Sequence, residues 1–355
     1  RSFPGRYREH IWMLWRLLAL IRDVAYWHDF FESNAVAAHT NHSGLKSSSH
    51  VAQSMALHLA GGCNFRTSYS YFSVLDGAVL GDFHVFFSWG KCSGTSQKVI
   101  PPYSAHSANV VISGYPFDSY FKSSVNGDLK TLLDGLQKPT FILAAFDESP
   151  GREIEYSHQI WETFYESLVA WALRRQDVLV AFKSKSWKED RILKRVPSVE
   201  EAIKKGCVAV LDPEYHAFQV AANADLAIGL GITTAAIEAV LCGTPALYYD
   251  PTKRKCEQLI DRVSSKLVYH DFPSLLERVD RIVDEGFGTI PEDYAEVLDE
   301  IDPFRDGMAR YRISDYMNTY IEDVDRGLSR EKALEHANER HRARWGGDTV
   351  IVNST

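Results

Sequence analysis

The most specific chemical pattern in the chain is a glycine-rich turn that leads into a helix. Residues 229–239 read Gly-Leu-Gly-Ile-Thr-Thr-Ala-Ala-Ile-Glu-Ala and begin inside the apolar run Leu226–Leu230. Glycines let a ligand approach the backbone closely, and a helix N-terminus offers free N–H groups to a phosphate. Thr233 and Thr234 can donate to phosphate oxygens, or they can simply cap the helix. Glu238 lies on the same helix face as Thr234, where it can bind ribose hydroxyls or lie in solvent.

Charged side chains follow three further apolar runs. Asp147 and Glu148 form an acid pair that suits a nucleophile or a general base, and we predict Asp147 for that role. The alternative is a pair of acids favoured by a helix N-terminus. Lys183 and Lys185 can neutralise a diphosphate or a carboxylate, or they can lie in a solvated loop. Asp212 follows the third run and is a further candidate for donor binding.

Polar and aromatic residues also follow apolar runs in the first half of the chain. Asn41, His42 and Ser43 predict an acceptor-binding loop with His42 as a second choice of base, although ordinary turn residues remain an alternative. His39 and His42 stand three residues apart, but no third ligand accompanies them, so we predict no metal site. Trp89 can stack on a sugar ring or lie in the core.

The elements that must position these residues alternate along the second half of the chain. Amphipathic helical stretches separate five apolar runs, which are Phe141–Phe146, Val178–Phe182, Val208–Leu211, Leu226–Leu230 and Ala246–Tyr249. Continuous apolar strands with helical crossovers are typical of a parallel sheet covered on both faces. The pattern therefore predicts an α/β, doubly wound fold, in which ligands bind beyond the carboxyl ends of the strands.

The composition excludes several classes of protein. The chain has 355 residues, a formal charge of −8, 45% hydrophobic residues and 24% charged residues, which is typical of a globular protein rather than a disordered chain, a collagen or a coiled coil. The acidic balance argues against a nucleic-acid-binding protein. Five widely spaced cysteines without a C-x-x-C pair predict reduced thiols, a cytoplasmic location and neither a disulfide framework nor a zinc site.

The most apolar stretch lies near the N-terminus, from Ile11 to Trp27. It contains Arg16, Arg22 and Asp23, and it is too short and too charged to span a bilayer. We predict a helix packed on the core. The alternative is a helix on a membrane surface, because this stretch contains three tryptophans, Trp12, Trp15 and Trp27. The chain begins without Met and shows no signal peptide, which predicts a trimmed segment.

Three groups of motifs resemble a known family. Residues 111–118, Val-Ile-Ser-Gly-Tyr-Pro-Phe-Asp, resemble the GYPR-D hinge-proximal motif of GT-B transferases that build bacterial surface polymers. Residues 208–254 resemble the donor-binding half of those enzymes. Residues 301–307, together with Arg312-Ile313 and Trp345-Gly346, are similar to the end of surface-carbohydrate biosynthesis proteins. The relatives include Kdo transferases and, more distantly, CDP-glycerol glycerophosphotransferases.

The resemblance implies two Rossmann-like domains that face a cleft, with C-terminal helices. We predict an acceptor-side domain over residues 1–138, a nucleotide-sugar domain over 139–320 and a helical tail over 321–355. The predicted donor-binding residues are Lys183, Lys185, Asp212, Gly229, Gly231, Thr233, Thr234 and Glu238. The predicted acceptor-binding residues are Asn41, Ser43 and Trp89, and the predicted catalytic residues are Asp147, Glu148 and His42.

The function implied by the resemblance is transfer of a sugar from a nucleotide-activated donor to a glycan or glycolipid acceptor, a bacterial surface polysaccharide or lipopolysaccharide. The best candidate for the donor is CMP-Kdo, which is a substrate, so we predict no separate cofactor. Three alternatives remain open, namely a CDP-glycerol-type transferase, a nucleotide-sugar epimerase and a non-catalytic carbohydrate-binding module. We expect the protein in the cytoplasm, with the inner face of the cytoplasmic membrane as an alternative.

Overall fold

The computed structural model describes most of the chain as two compact units. The described residues are 5–41, 48–67, 83–91, 109–123, 129, 131, 133, 135, 139–148, 156–175, 177–253, 266–287 and 290–352. Unit 1 comprises Arg1–Pro116 together with Met308–Thr355, and unit 2 comprises Phe117–Gly307. We describe each unit by itself.

Strands and helices alternate along both units. The strands are β1 (Ala38–Asn41), β2 (Cys63–Thr67), β3 (Val85–Ser88), β4 (Asn109–Ile112), β5 (Phe141–Phe146), β6 (Val178–Lys183), β7 (Val208–Leu211), β8 (Leu226–Leu230), β9 (Ala246–Tyr249), β10 (Val268–Tyr269) and β11 (Val350–Val352). The helices are α1 (Gly5–Ser33), α2 (Ser48–Leu59), α3 (His158–Arg175), α4 (Glu189–Arg195), α5 (Ser198–Lys204), α6 (Ala217–Ala221), α7 (Thr234–Leu241), α8 (Phe272–Glu285), α9 (Ile290–Ile301), α10 (Ala309–Asp325) and α11 (Arg330–Trp345).

Unit 1 contains a five-stranded sheet in the order β1-β2-β3-β4-β11. The first four strands are parallel, and β11 pairs antiparallel with β4. The side chains of α10 and α11 pack on this sheet in one core, whose buried members include Cys63, Phe65, Phe87, Val111, Tyr316, Tyr320, Ala333 and Leu334. The C-terminal helices and β11 therefore complete the first Rossmann-like unit.

The units divide the chain at places that differ from the predicted domain ranges. The division falls between Pro116 and Phe117, whereas the sequence placed it near Lys138-Pro139. Residues 309–352 belong to unit 1, whereas the sequence assigned 321–355 to a separate tail. The reason is that the apolar face of the C-terminal helices is buried against the unit 1 sheet.

A hydrogen bond joins the two segments through which the chain enters and leaves unit 2. The backbone N–H of Gly307 donates to Oδ2 of Asp118 at 2.9 Å. Asp118 is the acid of the motif that resembles GYPR-D, and only 2% of its surface is exposed. This carboxylate therefore ties the two ends of unit 2 together.

Helix α1 differs from the predicted core helix. Its C-terminal part packs on α2, where Phe31, Val24 and Trp27 contact Ala56 and Leu57. Residues 11–18 are exposed, so the core interpretation is wrong for that part of the helix. Among the described helices, none has the length and apolar character that crossing a bilayer requires.

Unit 2 contains a six-stranded parallel sheet in the order β10-β9-β8-β5-β6-β7. Its central strands are buried on both faces, as the continuous apolar runs predict. All five predicted strands are confirmed, and four of them have the predicted bounds. The short strand β10 extends the sheet beyond the prediction, and helices connect the strands as in a doubly wound fold.

Candidate functional site

The carboxyl ends of the parallel strands form one edge of the unit 2 sheet. Phe146 of β5 pairs with Lys183 of β6 on one side and with Gly229 of β8 on the other. From β5 the chain proceeds outward to β7, and from β8 it proceeds in the opposite direction to β10. The strand order therefore reverses between β5 and β8. Open α/β sheets bind ligands outside the carboxyl ends at such a switch point, and the candidate residues after β5 and β8 lie there.

The turn after β8 requires glycine at two positions. Gly231 has a φ of +73°, which side-chain-bearing residues rarely adopt, and a Cβ atom there would overlap the hydroxyl of Tyr156. A Cβ atom on Gly229 would lie 2.9 Å from the carbonyl oxygen of Gly231 and 3.1 Å from Oγ1 of Thr233. The turn can therefore pack this closely against Tyr156 and the start of α7 only because both positions lack a side chain.

Helix α7 begins directly after this turn. Thr233 is its N-cap, and its hydroxyl oxygen accepts a hydrogen bond from the backbone N–H of Ala236 at 3.3 Å. The capping interpretation of Thr233 is therefore confirmed, and the hydroxyl hydrogen can still donate to a ligand. Thr234 is the first residue of the helix and Glu238 lies one turn further, both of them partly exposed. These side chains share the helix face that the spacing predicts.

Asp147, the predicted catalytic acid, is a buried acceptor of four hydrogen bonds. Only 4% of its surface is exposed. Its Oδ2 accepts from Nε1 of Trp161 at 2.8 Å, from the hydroxyl of Tyr165 at 3.1 Å and from Oγ of Ser184 at 2.9 Å. Its Oδ1 accepts from the backbone N–H of Lys185 at 2.6 Å.

The surroundings of Asp147 fit a positioning role better than a nucleophilic one. Burial raises the pKa of this carboxyl group, and the hydrogen bonds from its four partners act in the opposite direction. The four donors come from helix α3 and from the loop after β6. The carboxylate therefore connects α3 with the loop after β6. Its side chain points toward these donors and not toward solvent.

Glu148 and Lys185 form an ion pair at the surface of the same edge. The Glu148 side chain is 15% exposed and that of Lys185 is 44% exposed. Glu148 follows Asp147 and emerges on the other side of the strand end, which places it rather than Asp147 toward solvent. Of the two predicted acids, Glu148 is therefore the more exposed.

Lys183 is the last residue of β6 and lies among three carboxylates. Burial lowers the pKa of its ammonium group, while the charges of Asp147, Glu238 and Asp212 act in the opposite direction. Its Nζ donates to the carbonyl oxygen of Ser184 at 3.2 Å. The ammonium group of Lys183 therefore lies within electrostatic range of Glu238 on α7.

Asp212 occupies a turn at the far corner of the same edge. It is exposed, and its Oδ1 accepts from the backbone N–H of Glu214 at 2.9 Å, as in an Asx turn. A cavity of about 290 Å³ lies beside it, lined by Lys188, Glu189, Asp190, Val210, Leu211, Asp212 and Pro213. Two strands, β5 and β6, separate β7 from β8, so Asp212 lies apart from the glycine turn.

Three residues that the sequence analysis did not select also lie at this edge. The hydroxyl of Tyr156 lies beside Gly231 and 3.5 Å from Oδ1 of Asp250. Asp250 is buried and also accepts from the backbone and the hydroxyl of Thr252. Nδ1 of His270 lies 2.6 Å from the Asp250 carbonyl oxygen. His270 could have been selected from the sequence because it directly follows the apolar residues of β10.

The predicted acceptor residues lie in unit 1. Asn41 ends β1, while His42 and Ser43 lie outside the described residues. Trp89 follows β3 and is fully buried, with its ring centroid 4.5 Å from that of Tyr115. A ring with no exposed surface cannot stack on a sugar, so the structure supports the core interpretation of Trp89 and contradicts the predicted acceptor contact.

A metal site does not emerge from the part of the chain that the structure describes. Within it, no three His, Cys, Asp or Glu side chains are placed to hold one ion together. The described edge offers glycine backbone, hydroxyls, the two lysines Lys183 and Lys185, and carboxylates.

A family comparison covers the edge described above. The sequence profile of the polysaccharide biosynthesis PFTS motif proteins matches residues 94–275, which contain the whole edge from β5 to β10. No curated protein matches the chain.

Several solved structures share the fold at low sequence identity. A UDP-GlcNAc 2-epimerase from Neisseria meningitidis, bound to UDP-GlcNAc, is 14% identical over 84% of this chain and 80% of that chain, with a TM-score of 0.53. MnaA from S. aureus with UDP is 11% identical over 86% and 82%, with a TM-score of 0.56. An α,α-trehalose-phosphate synthase (UDP-forming) from Burkholderia vietnamiensis is 11% identical over 87% and 79%, with a TM-score of 0.51. These similarities show a GT-B-like fold of two Rossmann-like domains.

Proposed function

The chain belongs to the family of polysaccharide biosynthesis PFTS motif proteins, and from that premise we propose that it is a glycosyltransferase. It transfers a sugar from a nucleotide-activated donor to a surface polysaccharide acceptor. The proposal places the reaction in the cytoplasm, as the widely spaced cysteines predict.

The observation that carries this proposal is the glycine turn at the switch point of the unit 2 sheet. The Gly231 backbone packs against the Tyr156 hydroxyl at a distance that leaves no room for a Cβ atom, and α7 begins directly beyond with its positive dipole end at the turn. We propose that a phosphate bound there accepts from backbone N–H groups at the start of α7 and from the Thr234 hydroxyl. We assign Glu238 to the ribose hydroxyls.

Lys183 supplies the charge that this donor requires. Its partly buried ammonium group lies near Glu238, so it can approach the same ligand from β6. A lysine in this position neutralises phosphate oxygens as a point charge. We assign Lys185 to the same neutralising role. A bound donor phosphate would compete with Glu148 for its ammonium group.

We assign the acid–base step to Glu148 and the support of the site to Asp147. A base must lie within hydrogen-bond distance of the acceptor hydroxyl from which it removes a proton. Glu148 reaches the surface of the edge, whereas all the described contacts of Asp147 lie within the protein. Removal of the charge in Glu148→Gln should lower turnover about 100-fold, the usual scale for one acid–base group.

Two donor classes remain candidates. The resemblance to Kdo transferases favours CMP-Kdo, while structures of the same fold bind UDP or UDP-GlcNAc. Lys183-Ser184-Lys185 stands at the strand end where a His-Pro nucleotide motif occurs in the Kdo and CDP-glycerol enzymes, and this difference argues against a cytidine nucleotide. A nucleotide-sugar epimerase is the second candidate function, because epimerases are among the proteins that share the fold.

The test measures nucleotide binding by titration calorimetry on the full chain. Wild type should bind one of CMP, CDP or UDP, and Thr234→Val should weaken that binding about 10- to 100-fold through loss of a charge-assisted hydrogen bond. Thr140→Val is the matched control, because Thr140 also loses one hydroxyl hydrogen bond, to the Asp177 carbonyl, but precedes β5 at the opposite edge of the sheet.

The outcomes separate the candidate functions. Binding of CMP or CDP supports the transferases suggested by the sequence, and binding of UDP supports a UDP-sugar transferase or an epimerase. Conversion of a UDP-sugar in the absence of any acceptor would identify the epimerase. A protein that binds none of the nucleotides, or a Thr234→Val variant that binds as tightly as wild type, would contradict the proposed donor site.

A further inference from the structure

The N-terminal half of α1 is an exposed apolar surface. Eight large apolar residues are between 49% and 69% exposed, and they are Ile11, Trp12, Met13, Leu14, Trp15, Leu17, Leu18 and Ile21. Scattered single apolar residues are ordinary on a protein surface, but a contiguous group marks an interaction site. We call this group, residues 11–22, the apolar segment.

The apolar segment presents a continuous face along the helix. Ile11, Leu14, Leu18 and Ile21 recur three or four residues apart, which places them on one side of an α-helix. With a rise of 1.5 Å per residue, this face extends for about 15 Å. Arg16 lies on another side of the helix, where its guanidinium group lies 5.3 Å from the ring centroid of Trp12.

The charge of this end of the chain is opposite to that of the rest. Residues 1–22 contain five arginines and one glutamate, a formal charge of +4, whereas the whole chain carries −8, so the other residues carry −12. Arginine and tryptophan beside an apolar helix face are typical of helices that lie in the interface of a bilayer. The positive charge complements anionic lipid headgroups.

The second half of α1 attaches the apolar segment to unit 1. Val24, Trp27 and Phe31 pack against Ala56 and Leu57 of α2. Because the helix continues without interruption from Gly5 to Ser33, the exposed half is held in a fixed direction relative to that contact.

We propose that the apolar segment of α1 binds the surface of an anionic lipid bilayer. Its apolar face enters the boundary between headgroups and acyl chains, and Arg16, on the other side of the helix, remains at the level of the phosphates. A second copy of this chain is a poorer partner, because two N-terminal ends whose residues 1–22 each carry +4 repel one another. This proposal does not depend on the nucleotide chosen for the active site.

The experiment is flotation of the full chain with vesicles of phosphatidylcholine alone or with 30% phosphatidylglycerol. We expect wild type to float with the anionic vesicles. Flotation should be about 10-fold lower with vesicles of phosphatidylcholine alone, and also at high salt. The double variant Leu14→Ser/Leu18→Ser should lose at least 10-fold of this binding. Leu59→Ser/Leu328→Ser is the matched control, since both leucines are exposed outside the apolar segment.

A further variant tests the electrostatic contribution of Arg16 to vesicle binding. Arg16→Glu should remove the preference for anionic vesicles while the apolar face remains intact. Because all the substituted residues are exposed, circular dichroism and thermal unfolding should match wild type. Wild type that stays with neither vesicle, or a Leu14→Ser/Leu18→Ser variant that floats as well as wild type, would overturn the proposal. So would a wild-type dimer in light scattering that this double variant converts to a monomer.

Discussion

At the scale of single residues, the candidate site contains a buried acid and a more exposed one. Asp147 and Glu148 are adjacent in sequence, yet one is buried among four donors and the other reaches the surface. Their substitution should therefore affect different properties of the protein.

We expect Asp147→Ala to lower the free energy of unfolding by about 3 kcal/mol or more, because buried donors on Trp161, Tyr165 and Ser184 lose their acceptor. Glu148→Ala is the matched control. It breaks a surface ion pair and should cost less than about 1 kcal/mol. Urea unfolding measures both, and equal stability of Asp147→Ala and wild type would show that the carboxylate does not hold α3 to the loop after β6.

A second pair of substitutions tests whether the glycine turn contacts the nucleotide. Gly231→Ala and Gly243→Ala both force alanine into a positive φ, but only at Gly231 would the new Cβ atom meet a neighbour, the Tyr156 hydroxyl. We expect each variant to lose about 1 kcal/mol of stability from backbone strain. Only Gly231→Ala should also weaken nucleotide binding, by at least about 10-fold. Equal nucleotide affinity in the two variants would argue against contact between the donor and this turn.

The buried histidine of α11 should make the stability of unit 1 depend on pH. Burial lowers the pKa of His341 from 6.5 to about 4, and its Nε2 lies 3.2 Å from the Ile112 carbonyl oxygen. The unfolded chain binds the proton more tightly, so the stabilisation is complete above pH 6.5 and is lost as pH falls toward 4.

We therefore expect His341 to account for a loss of about 3 kcal/mol in the free energy of unfolding across that range. His341→Gln keeps an N–H donor and should remove this part of the pH dependence, measured by urea unfolding at several pH values. The exposed His158→Gln should leave the profile unchanged. If the free energy of unfolding of His341→Gln still falls steeply between pH 6.5 and 4, other titrating groups cause that loss.

At the scale of elements, the start of α7 has two neighbouring threonines with different contacts. The Thr233 hydroxyl oxygen caps the helix, so Thr233→Ala should lower the free energy of unfolding by about 1 kcal/mol. Thr233→Ser keeps the cap and should restore most of that loss. Thermal unfolding monitored by circular dichroism measures both, and a Thr233→Ala variant as stable as wild type would show that the cap contributes nothing.

The strands of unit 2 could be predicted because their burial on both faces requires continuous apolar runs in the sequence. Continuous apolar runs such as Phe141–Phe146 fill both faces of a parallel sheet, and the structure gives them the same bounds. β2 was missed because it reads Cys-Asn-Phe-Arg-Thr. Its polar residues are nevertheless buried, since the Asn64 side chain donates to the carbonyl and hydroxyl oxygens of Ser54.

The candidate site could be predicted only in part for a related reason. Parallel strands place their carboxyl ends on one edge, so the grouping of Lys183 with the glycine turn followed from topology alone. The direction of the Asp147 side chain did not follow, because it depends on Trp161 and Tyr165 of a helix that packs there in the folded protein. Local patterns contain no information about such distant donors.

At the scale of the whole molecule, the chain forms unit 1 from its two ends and unit 2 from a single continuous segment. Tyr316, Tyr320 and Leu334 of the C-terminal helices share a core with Phe65 and Phe87. Deletion of residues 309–352 should therefore expose this core.

Hydrogen exchange measures that effect. We expect amide protection in β2 and β3 to fall at least about 100-fold in the deletion variant, since these strands lose the helices that cover them. Protection in β5 and β8 of unit 2 should stay within a few-fold of wild type, which serves as the internal control. Unchanged protection in β2 would show that the first four strands are stable without the C-terminal helices.

The return of β11 to the unit 1 sheet fixes an order of events during synthesis. About 240 residues separate β4 from β11, and at 5–20 residues per second a ribosome needs roughly 10 to 50 seconds to make them. Throughout that time the nascent chain presents an unpaired β4 edge and an uncovered apolar sheet face, both prone to aggregation. Unit 2 emerges in one piece and can fold first, so the half of the protein that is translated earlier is completed later and depends most on chaperones.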